Sequence, residues 1–240
     1  MTESNQHKNK KTPLCDILDA ERRSKASDDA SSDGFLEALA KGGHEQHDLD
    51  RAIHMAVCSG PSYGYISRIT SERAVARVQA LAAAGAGFGR LLVSRAADYG
   101  NAEVVRAICA LGASVDDSDS EGRTALFGAA MGFGDRREVV RALAEAGANV
   151  GHVDHYGWTP LHAAAYKDSW GCYEELLFAG ADPSAVENEG LSPIEYAESE
   201  HGISEERAAW ASGLAESCVL RRHVSMATSK PKPRGRSFAL

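Results

Sequence analysis

The sequence lacks long apolar runs. No stretch of its 240 residues approaches the roughly 18 consecutive apolar residues that a membrane-spanning helix needs. The start, MTESNQHKNKK, is polar and lacks the apolar core of a secretory signal. These absences exclude a membrane span and predict a cytoplasmic protein. A basic C-terminal segment, described below, makes the nucleus the alternative location.

Paired cysteines are also lacking. The five cysteines include no C-x-x-C pair and lie far apart along the chain, which argues against a disulfide framework or a zinc knuckle. We expect reduced thiols that are mostly buried. The cysteines are Cys15, Cys58, Cys109, Cys172 and Cys218.

A phosphate-binding loop and a cysteine nucleophile are missing as well. The glycine-rich segment 85–89 is not followed by the Lys-Ser/Thr of a phosphate-binding loop. No cysteine lies in the setting of a catalytic nucleophile. The sequence therefore predicts a protein that is not an enzyme, with no cofactor and no small-molecule substrate. An active site in the divergent segment 34–91 is the remaining catalytic alternative.

Two clusters resemble metal sites. Acids at 117, 119 and 121 before Gly122 have the pattern of a calcium loop, but Gly128 occupies the twelfth position, where a bidentate Glu is needed. Histidines at 152, 155 and 162 lie near Asp154, but the repeat described below already accounts for His162 and Asp154. We therefore predict no bound metal.

The net charge of −8 is unevenly distributed. The ends are basic, with +2 on residues 1–27 and +6 on residues 221–240, so residues 28–220 carry −16. An acidic body repels phosphate backbones, which makes nucleic acid an unfavourable ligand for that part of the chain.

An internal repeat organises the acidic body. The segments DSEGRTALFGAA at 119–130, DHYGWTPLHAAA at 154–165 and ENEGLSPIEYA at 187–197 align without gaps. Glycines at 122, 157 and 190 are spaced by 35 and 33 residues, and Gly-Ala pairs starting at 112, 147 and 180 have the same spacing. Two independent marks with one period indicate a stacked repeat protein.

Each repeat unit predicts a turn followed by two helices. The D-x-x-G stretch has turn chemistry. Thr159 before Pro160, and Ser192 before Pro193, are typical of a helix start. The first helix is rich in alanine and the second is more aliphatic. Glycines at 147 and 180 are placed to end the second helix.

These residues resemble the ankyrin repeat family, whose pattern is D-x-x-G-x-T-P-L-H-x-A-A. The best match comprises Asp154, Gly157, Thr159, Pro160, Leu161, His162, Ala164 and Ala165. The repeat at 119–153 departs from the pattern at Ala125 and Phe127, and its segment 131–137 carries two extra residues that should lengthen the turn between its helices. The resemblance implies an all-α ankyrin-repeat solenoid with hairpin-like fingers that binds other proteins.

The repeat register predicts the boundaries. Repeats are expected at 92–118, 119–153, 154–186 and 187–217, preceded by divergent ankyrin-like repeats or an N-terminal cap at 34–91. Residues 1–33 are polar and are expected to be disordered. A helix that opens near Ser204 should close the array through a stripe of Trp210, Leu214 and Cys218. Residues 218–240 are predicted to contain the end of that helix and a basic, disordered tail.

A protein-binding surface is expected on the concave face implied by the resemblance. Aromatic residues make up only 7% of the chain, yet several fall between 127 and 170 at positions that the stack should leave free. A rim of acids beside them, mainly Asp116, Asp117, Asp119, Glu121, Asp154, Glu187 and Glu189, predicts a partner protein with basic and apolar patches. The candidate partner-binding residues are Glu121, Arg123, Phe127, Met131, His155, Tyr156, Trp158, Tyr166, Lys167 and Trp170.

The basic tail offers a second hypothesis. Lys230, Lys232, Arg234 and Arg236 form a short, proline-interrupted cluster that could contact nucleic acid, an anionic membrane or an import receptor. On this hypothesis the chain is a regulatory or targeting protein. On the first hypothesis, binding through the concave face, it is a scaffold, adaptor or inhibitor.

Overall fold

A computed structural model describes residues 13–23, 34–58 and 70–228 of the chain. All regular structure within these ranges is helical. The helices are α1 (Pro13–Arg23), α2 (Gly34–Ala40), α3 (Gln46–Val57), α4 (Ser71–Ala83), α5 (Leu92–Asp98), α6 (Ala102–Ala110), α7 (Ala125–Met131), α8 (Arg137–Glu145), α9 (Pro160–Tyr166), α10 (Trp170–Ala179), α11 (Pro193–His201) and α12 (Glu205–Thr228).

The helices form two stacked layers. Each odd-numbered helix packs against the even-numbered helix that follows it, so the described residues hold six helix pairs. Odd-numbered helices contact one another in chain order from α1 to α11, and even-numbered helices do the same from α2 to α12. A pair therefore buries its apolar side on its neighbours, as expected of a repeat protein. The predicted all-α solenoid is confirmed.

Small and aliphatic side chains make close stacking possible. The alanine pairs at 96–97, 129–130 and 164–165 are all buried within the layer of first helices. The second helices bury larger residues, such as Val139 and Leu143 in α8. One continuous core of buried residues runs from α1 to α12.

The predicted starts and ends of the helices are present. The Thr159 hydroxyl accepts a hydrogen bond from the His162 backbone N–H at 3.4 Å, and Pro160 occupies the first turn of α9. Gly147 and Gly180 follow α8 and α10 with φ of +88° and +113°, a left-handed conformation that favours glycine.

The two extra residues after α7 lengthen the turn as predicted. Five residues separate α7 from α8, whereas three separate α9 from α10. The longer turn carries Arg136, whose side chain is buried and donates hydrogen bonds to the carbonyl oxygens of Ala97, Asp98 and Phe133. The insertion thus links the fourth helix pair, α7 and α8, to the end of α5 in the third pair.

The N-terminal prediction is wrong where the structure describes it. Residues 13–23 were expected to be disordered, but they form α1, which packs on α2 and α3. Leu14 and Cys15 are fully buried and Leu18 is nearly so, because their spacing places three apolar side chains on one face of the helix. The other residues before 34 lie outside the described residues.

The last helix also differs from the prediction. It begins at Glu205 and ends at Thr228, within the segment 218–240 that was predicted to contain its end. Its buried stripe consists of Ala211, Ala215 and Cys218, whereas Trp210 is 44% exposed and rests against Trp170 at 6.0 Å between ring centroids. Alanines face the array because α12 must approach α10 and α11 closely. No helix within the described ranges is long and apolar enough to cross a membrane.

His162 joins two neighbouring repeats. Its Nδ1 accepts the Thr159 backbone N–H at 3.2 Å, so Nε2 carries the proton and donates to the Leu191 carbonyl oxygen at 3.1 Å. The side chain is buried, and burial lowers its pKa below the ordinary histidine value of 6.5, although the bond to Leu191 and the carboxylates of Glu187 and Asp154 oppose this. The folded protein therefore holds this imidazole neutral.

Gly157 and Gly190 provide a matched test of the distance between neighbouring fingers. We use the word finger for the turn that precedes each first helix. Both glycines have positive φ, +80° and +89°, but a Cβ on Gly157 would lie 2.9 Å from the Asn188 backbone nitrogen, whereas nothing lies near a Cβ on Gly190. We expect Gly190→Ala to cost about 1 kcal/mol of unfolding free energy. Gly157→Ala should cost about 1–3 kcal/mol more, because the overlap is added to the strain. Chemical denaturation measures both, and equal losses would contradict this close approach.

His162 predicts a pH dependence of stability. Because its folded pKa is lowered, the unfolded chain binds more protons as the pH falls through about 6.5, and the folded state loses stability there. His162→Gln keeps an acceptor for the Thr159 N–H but cannot titrate. We expect the variant to be about 1–3 kcal/mol less stable near neutral pH, with a flatter dependence of melting temperature between about pH 7.5 and 5.5. His54, whose pKa is also lowered, stays in both proteins. An unchanged slope would contradict the role of His162.

Candidate protein-binding groove

Three fingers precede the first helices α7, α9 and α11, and each is closed by a carboxylate. In the first finger, Asp119 Oδ1 accepts the backbone N–H groups of Glu121 and Arg123, both at 2.9 Å. In the second, Asp154 Oδ1 accepts those of Tyr156 and Trp158, again at 2.9 Å. The turn acid thus fixes the direction of the residues that follow it.

The third finger achieves the same closure with a longer side chain. Glu187 accepts the Glu189 N–H with Oε2 at 2.8 Å and the Leu191 N–H with Oε1 at 3.1 Å. Because the glutamate is one methylene longer, it uses both of its oxygens where an aspartate uses one. The carboxylate of Glu187 is therefore fully committed to its own turn.

Neighbouring fingers bind one another through their backbones. The His155 N–H donates to the Glu121 carbonyl oxygen at 3.0 Å, and the Asn188 N–H donates to the Tyr156 carbonyl oxygen at 3.2 Å. His152 Nε2 also lies 2.8 Å from the Gly122 carbonyl oxygen. The three fingers form a continuous wall beside the first helices.

A groove lies between this wall and the first helices. It consists of two depressions of about 680 Å³ and about 420 Å³, which adjoin because Arg123 and Met131 line both. We call these the upstream half and the downstream half of the groove. Each half is formed by residues from more than one repeat.

The upstream half has mixed charge. Arg95, Arg123 and Arg136 line it together with Asp98 and Asp119. Burial raises the pKa of the Asp98 carboxyl, while the nearby guanidinium groups of Arg136 and Arg95 oppose that shift. This half offers both donors and acceptors, with no strong excess of either charge.

Three aromatic rings from three elements come together in the downstream half. Trp158 belongs to the second finger, Tyr166 to α9 and Tyr196 to α11. The centroid of the Trp158 ring is 5.2 Å from that of Tyr166 and 4.6 Å from that of Tyr196, both in edge-to-face geometry. Tyr166 and Tyr196 are 6.2 Å apart. All three side chains are half-buried, so each keeps a surface open to the groove.

Carboxylates surround these rings. Asp154, Glu187, Glu189 and Glu200 line the downstream half, against the single guanidinium of Arg123. Arg123 Nε lies 3.5 Å from Asp154 Oδ2, an ion pair in which neither atom has a hydrogen-bond partner in the described part of the chain. This half of the groove is both aromatic and acidic.

The groove collects six of the ten residues that the sequence predicted for partner binding. Its lining includes Arg123, Phe127, Met131, Tyr156, Trp158 and Tyr166, and Tyr156 is 55% exposed. Two further candidates lie on the finger wall: the exposed His155, and the half-buried Glu121, whose carbonyl oxygen accepts the His155 N–H. Lys167 lines a separate depression, beyond Tyr166, together with Arg207.

The expectation that the stack leaves Phe127 free is wrong. Its side chain is 1% exposed, and the Arg123 guanidinium lies over its ring, 5.4 Å from the centroid. Phe127 occupies the position of His162 in the next repeat, and that position faces into the stack in both repeats. Phe127 is therefore a core residue.

Trp170 lies outside the groove and packs on the last helix. Its ring contacts Trp210, and its indole N–H donates to the Asp168 carboxylate. Arg207 bonds the same carboxylate at 2.7 Å and lies over the Trp170 ring. These contacts join α10 to α12, so Trp170 has a structural role in this arrangement. The tail candidates Lys230, Lys232, Arg234 and Arg236 lie outside the described residues.

Sequence reasoning missed Tyr196 and Glu200. In the repeat register, Tyr196 occupies the position of Gly128 and Ala163 in the preceding units. An aromatic residue at a position held by small residues is the signal that could have identified it. The metal clusters considered from the sequence do not form, since no three His, Cys, Asp or Glu side chains among the described residues come together as a metal-binding group.

Comparison with known proteins agrees with this architecture. The family model for ankyrin repeats in three copies matches residues 53–154 and residues 93–187, which together span more than half of the chain. Among curated proteins no match is found. Ankyrin repeats are in general protein–protein interaction modules and are typically non-enzymatic. The period of the sequence, the helix pairs and this match together show that the chain belongs to the ankyrin repeat family.

Proposed function

We propose that this chain binds another protein in the groove, and that the bound segment carries basic and apolar side chains. The observation that carries the proposal is the downstream half, where half-buried aromatic rings lie among four carboxylates and one guanidinium. Tyrosine and tryptophan are the residues most often found as anchors of protein interfaces. Acidic groups beside them favour a partner of opposite charge.

The proposed role is that of a scaffold, adaptor or inhibitor. The histidines near the groove serve the stack: His162 is neutral and hydrogen-bonded on both ring nitrogens, and His152 contacts a neighbouring carbonyl oxygen. The thiol of Cys172 is buried, which raises its pKa to about 11 and leaves it without nucleophilic character near neutral pH. The structural roles of the two histidines support binding as the function of the groove.

Tyr156 and Phe178 form a matched pair for testing this groove. Tyr156 lies at the finger side and is 55% exposed, whereas Phe178 is 51% exposed on α10 in the layer of second helices. Tyr156→Ala should weaken partner binding about tenfold or more, because an interface anchor is lost. Phe178→Ala, with a similar loss of exposed aromatic surface, should leave binding unchanged. The measurement is quantitative affinity capture with the intact chain and both variants, followed by titration of the captured protein.

The double variant Tyr156→Ala with Trp158→Ala extends this test. Trp158 packs on Tyr166 and Tyr196, so its loss can also lower stability. The melting temperature of the double variant is therefore measured in parallel, to separate lost binding from lost stability. A partner that binds this variant as tightly as the intact chain would overturn the groove as the binding face.

A further inference from the structure

We infer that the downstream half of the groove is a binding site for one cationic side chain, an arginine or lysine of the partner protein. The inference rests on the proposed function, since it specifies which chemical group of the partner enters this half. We call the site, formed by Trp158, Tyr166 and Tyr196 with Asp154 and the acids of its rim, the aromatic pocket.

The walls of the aromatic pocket suit a cation. The faces of aromatic rings carry negative quadrupole density, and a guanidinium or ammonium group within about 6 Å of a ring centroid is attracted to them. The three rings come from three different elements and meet at one place. Because they pack edge to face and stay half-buried, the pocket keeps its shape. Lys167, which lines the neighbouring depression, already lies over the Tyr166 ring at 5.5 Å from its centroid.

Asp154 supplies a buried acceptor to the pocket. Its side chain is 1% exposed, and Oδ1 alone accepts both N–H groups that close the finger. Oδ2 has no hydrogen-bond partner among the described residues, because the nearest cationic atom, Arg123 Nε, is at 3.5 Å. A buried carboxylate oxygen without a donor is costly. A cation of the partner held against the rings would add to the ion pair that this carboxylate makes with Arg123.

The rim adds an excess of negative charge. Glu189 and Glu200 line this half and are exposed, and Glu187 is buried with both oxygens bound to its own turn. Arg123 is the single cation that lines this half. A neutral or acidic side chain would leave this excess uncompensated. The upstream half has no such excess, so the preference for a cation belongs to the aromatic pocket alone.

An arginine fits the pocket better than a lysine does. Its planar guanidinium can lie against a ring while a second N–H reaches a carboxylate, whereas an ammonium is a strongly hydrated point charge. We therefore expect the pocket to bind arginine more tightly than lysine and to bind the isosteric, uncharged citrulline far more weakly.

The test uses small probes on the full chain. Nα-acetyl-arginine methylamide is added at millimolar concentration, with the corresponding lysine and citrulline compounds in parallel, and the indole N–H resonances are followed by NMR. The chain has three tryptophans, so Trp170 and Trp210 serve as internal controls for Trp158. We expect the arginine probe to shift the Trp158 resonance and leave the other two in place. Equal shifts with the citrulline probe would overturn the assignment.

Two variants test the acceptor and the rim. Asp154→Asn keeps the oxygen that closes the finger and replaces Oδ2 with an amide, so the fold should be retained while the affinity for the arginine probe falls at least tenfold. Glu189→Gln with Glu200→Gln changes exposed positions and should weaken binding several-fold. Far-ultraviolet circular dichroism and melting temperature check that both variants stay folded. Unchanged probe affinity in the folded Asp154→Asn variant would overturn the inference.

A last variant separates a partner's side chain from the chain's own tail. In the full chain with Lys230, Lys232, Arg234 and Arg236 all changed to glutamine, probe affinity should equal that of the intact chain. If only the neutralised chain binds the probe, the tail occupies the pocket and the assignment to a partner is overturned.

The probe measurement is independent of the capture measurement. Capture that depends on Tyr156 but not on Asp154 would overturn the aromatic pocket and leave the groove as the binding face. Probe binding at Trp158, with capture unaffected by Tyr156, would instead overturn the proposed function.

Discussion

The hydrogen bonds from backbone N–H groups to one turn carboxylate are the interaction on which the rest of this structure depends. They close each finger, and a closed finger presents its outer N–H to the carbonyl oxygen of the finger before it. That contact sets the spacing of the wall, and the wall forms one side of the groove. The carboxylate also controls where aromatic side chains point, since Tyr156 and Trp158 donate the two N–H groups that Asp154 accepts.

Stacking imposes a second constraint, which is close approach between first helices. Buried alanines at 129–130 and 164–165 satisfy it, and so does the compact polar link from His162 to Leu191. Where the spacing changes, a specific side chain compensates. The two extra residues after α7 bring in Arg136, whose buried guanidinium binds carbonyl oxygens at the end of α5. An insertion is tolerated there because its polar groups are satisfied internally.

Much of this could be predicted from the sequence, because turn acids, capping residues and glycines act locally. Thr159, Pro160, Gly147 and Gly180 do what their types favour wherever they occur. Phe127 could not be placed, because its burial depends on the stack and on the Arg123 side chain above it. The helix at 13–23 was missed for a similar reason: its composition is polar overall, and its burial on α2 and α3 involves three apolar side chains.

A site in such an array can arise only between repeats, since each unit contributes a finger and a helix but no enclosed space. The downstream half shows how one arises. Its rings come from a finger, from the helix that follows it and from the next first helix, and they meet because Tyr196 replaces the small residues of earlier units. Asp119, Asp154 and Glu187 perform the same structural task in three fingers. Among them, only Asp154 has a buried oxygen beside the aromatic rings that is ion-paired with Arg123 but not hydrogen-bonded. The three turn acids therefore have the same structural role but different surroundings. The residues of the neighbouring repeat determine which of these surroundings becomes a binding site.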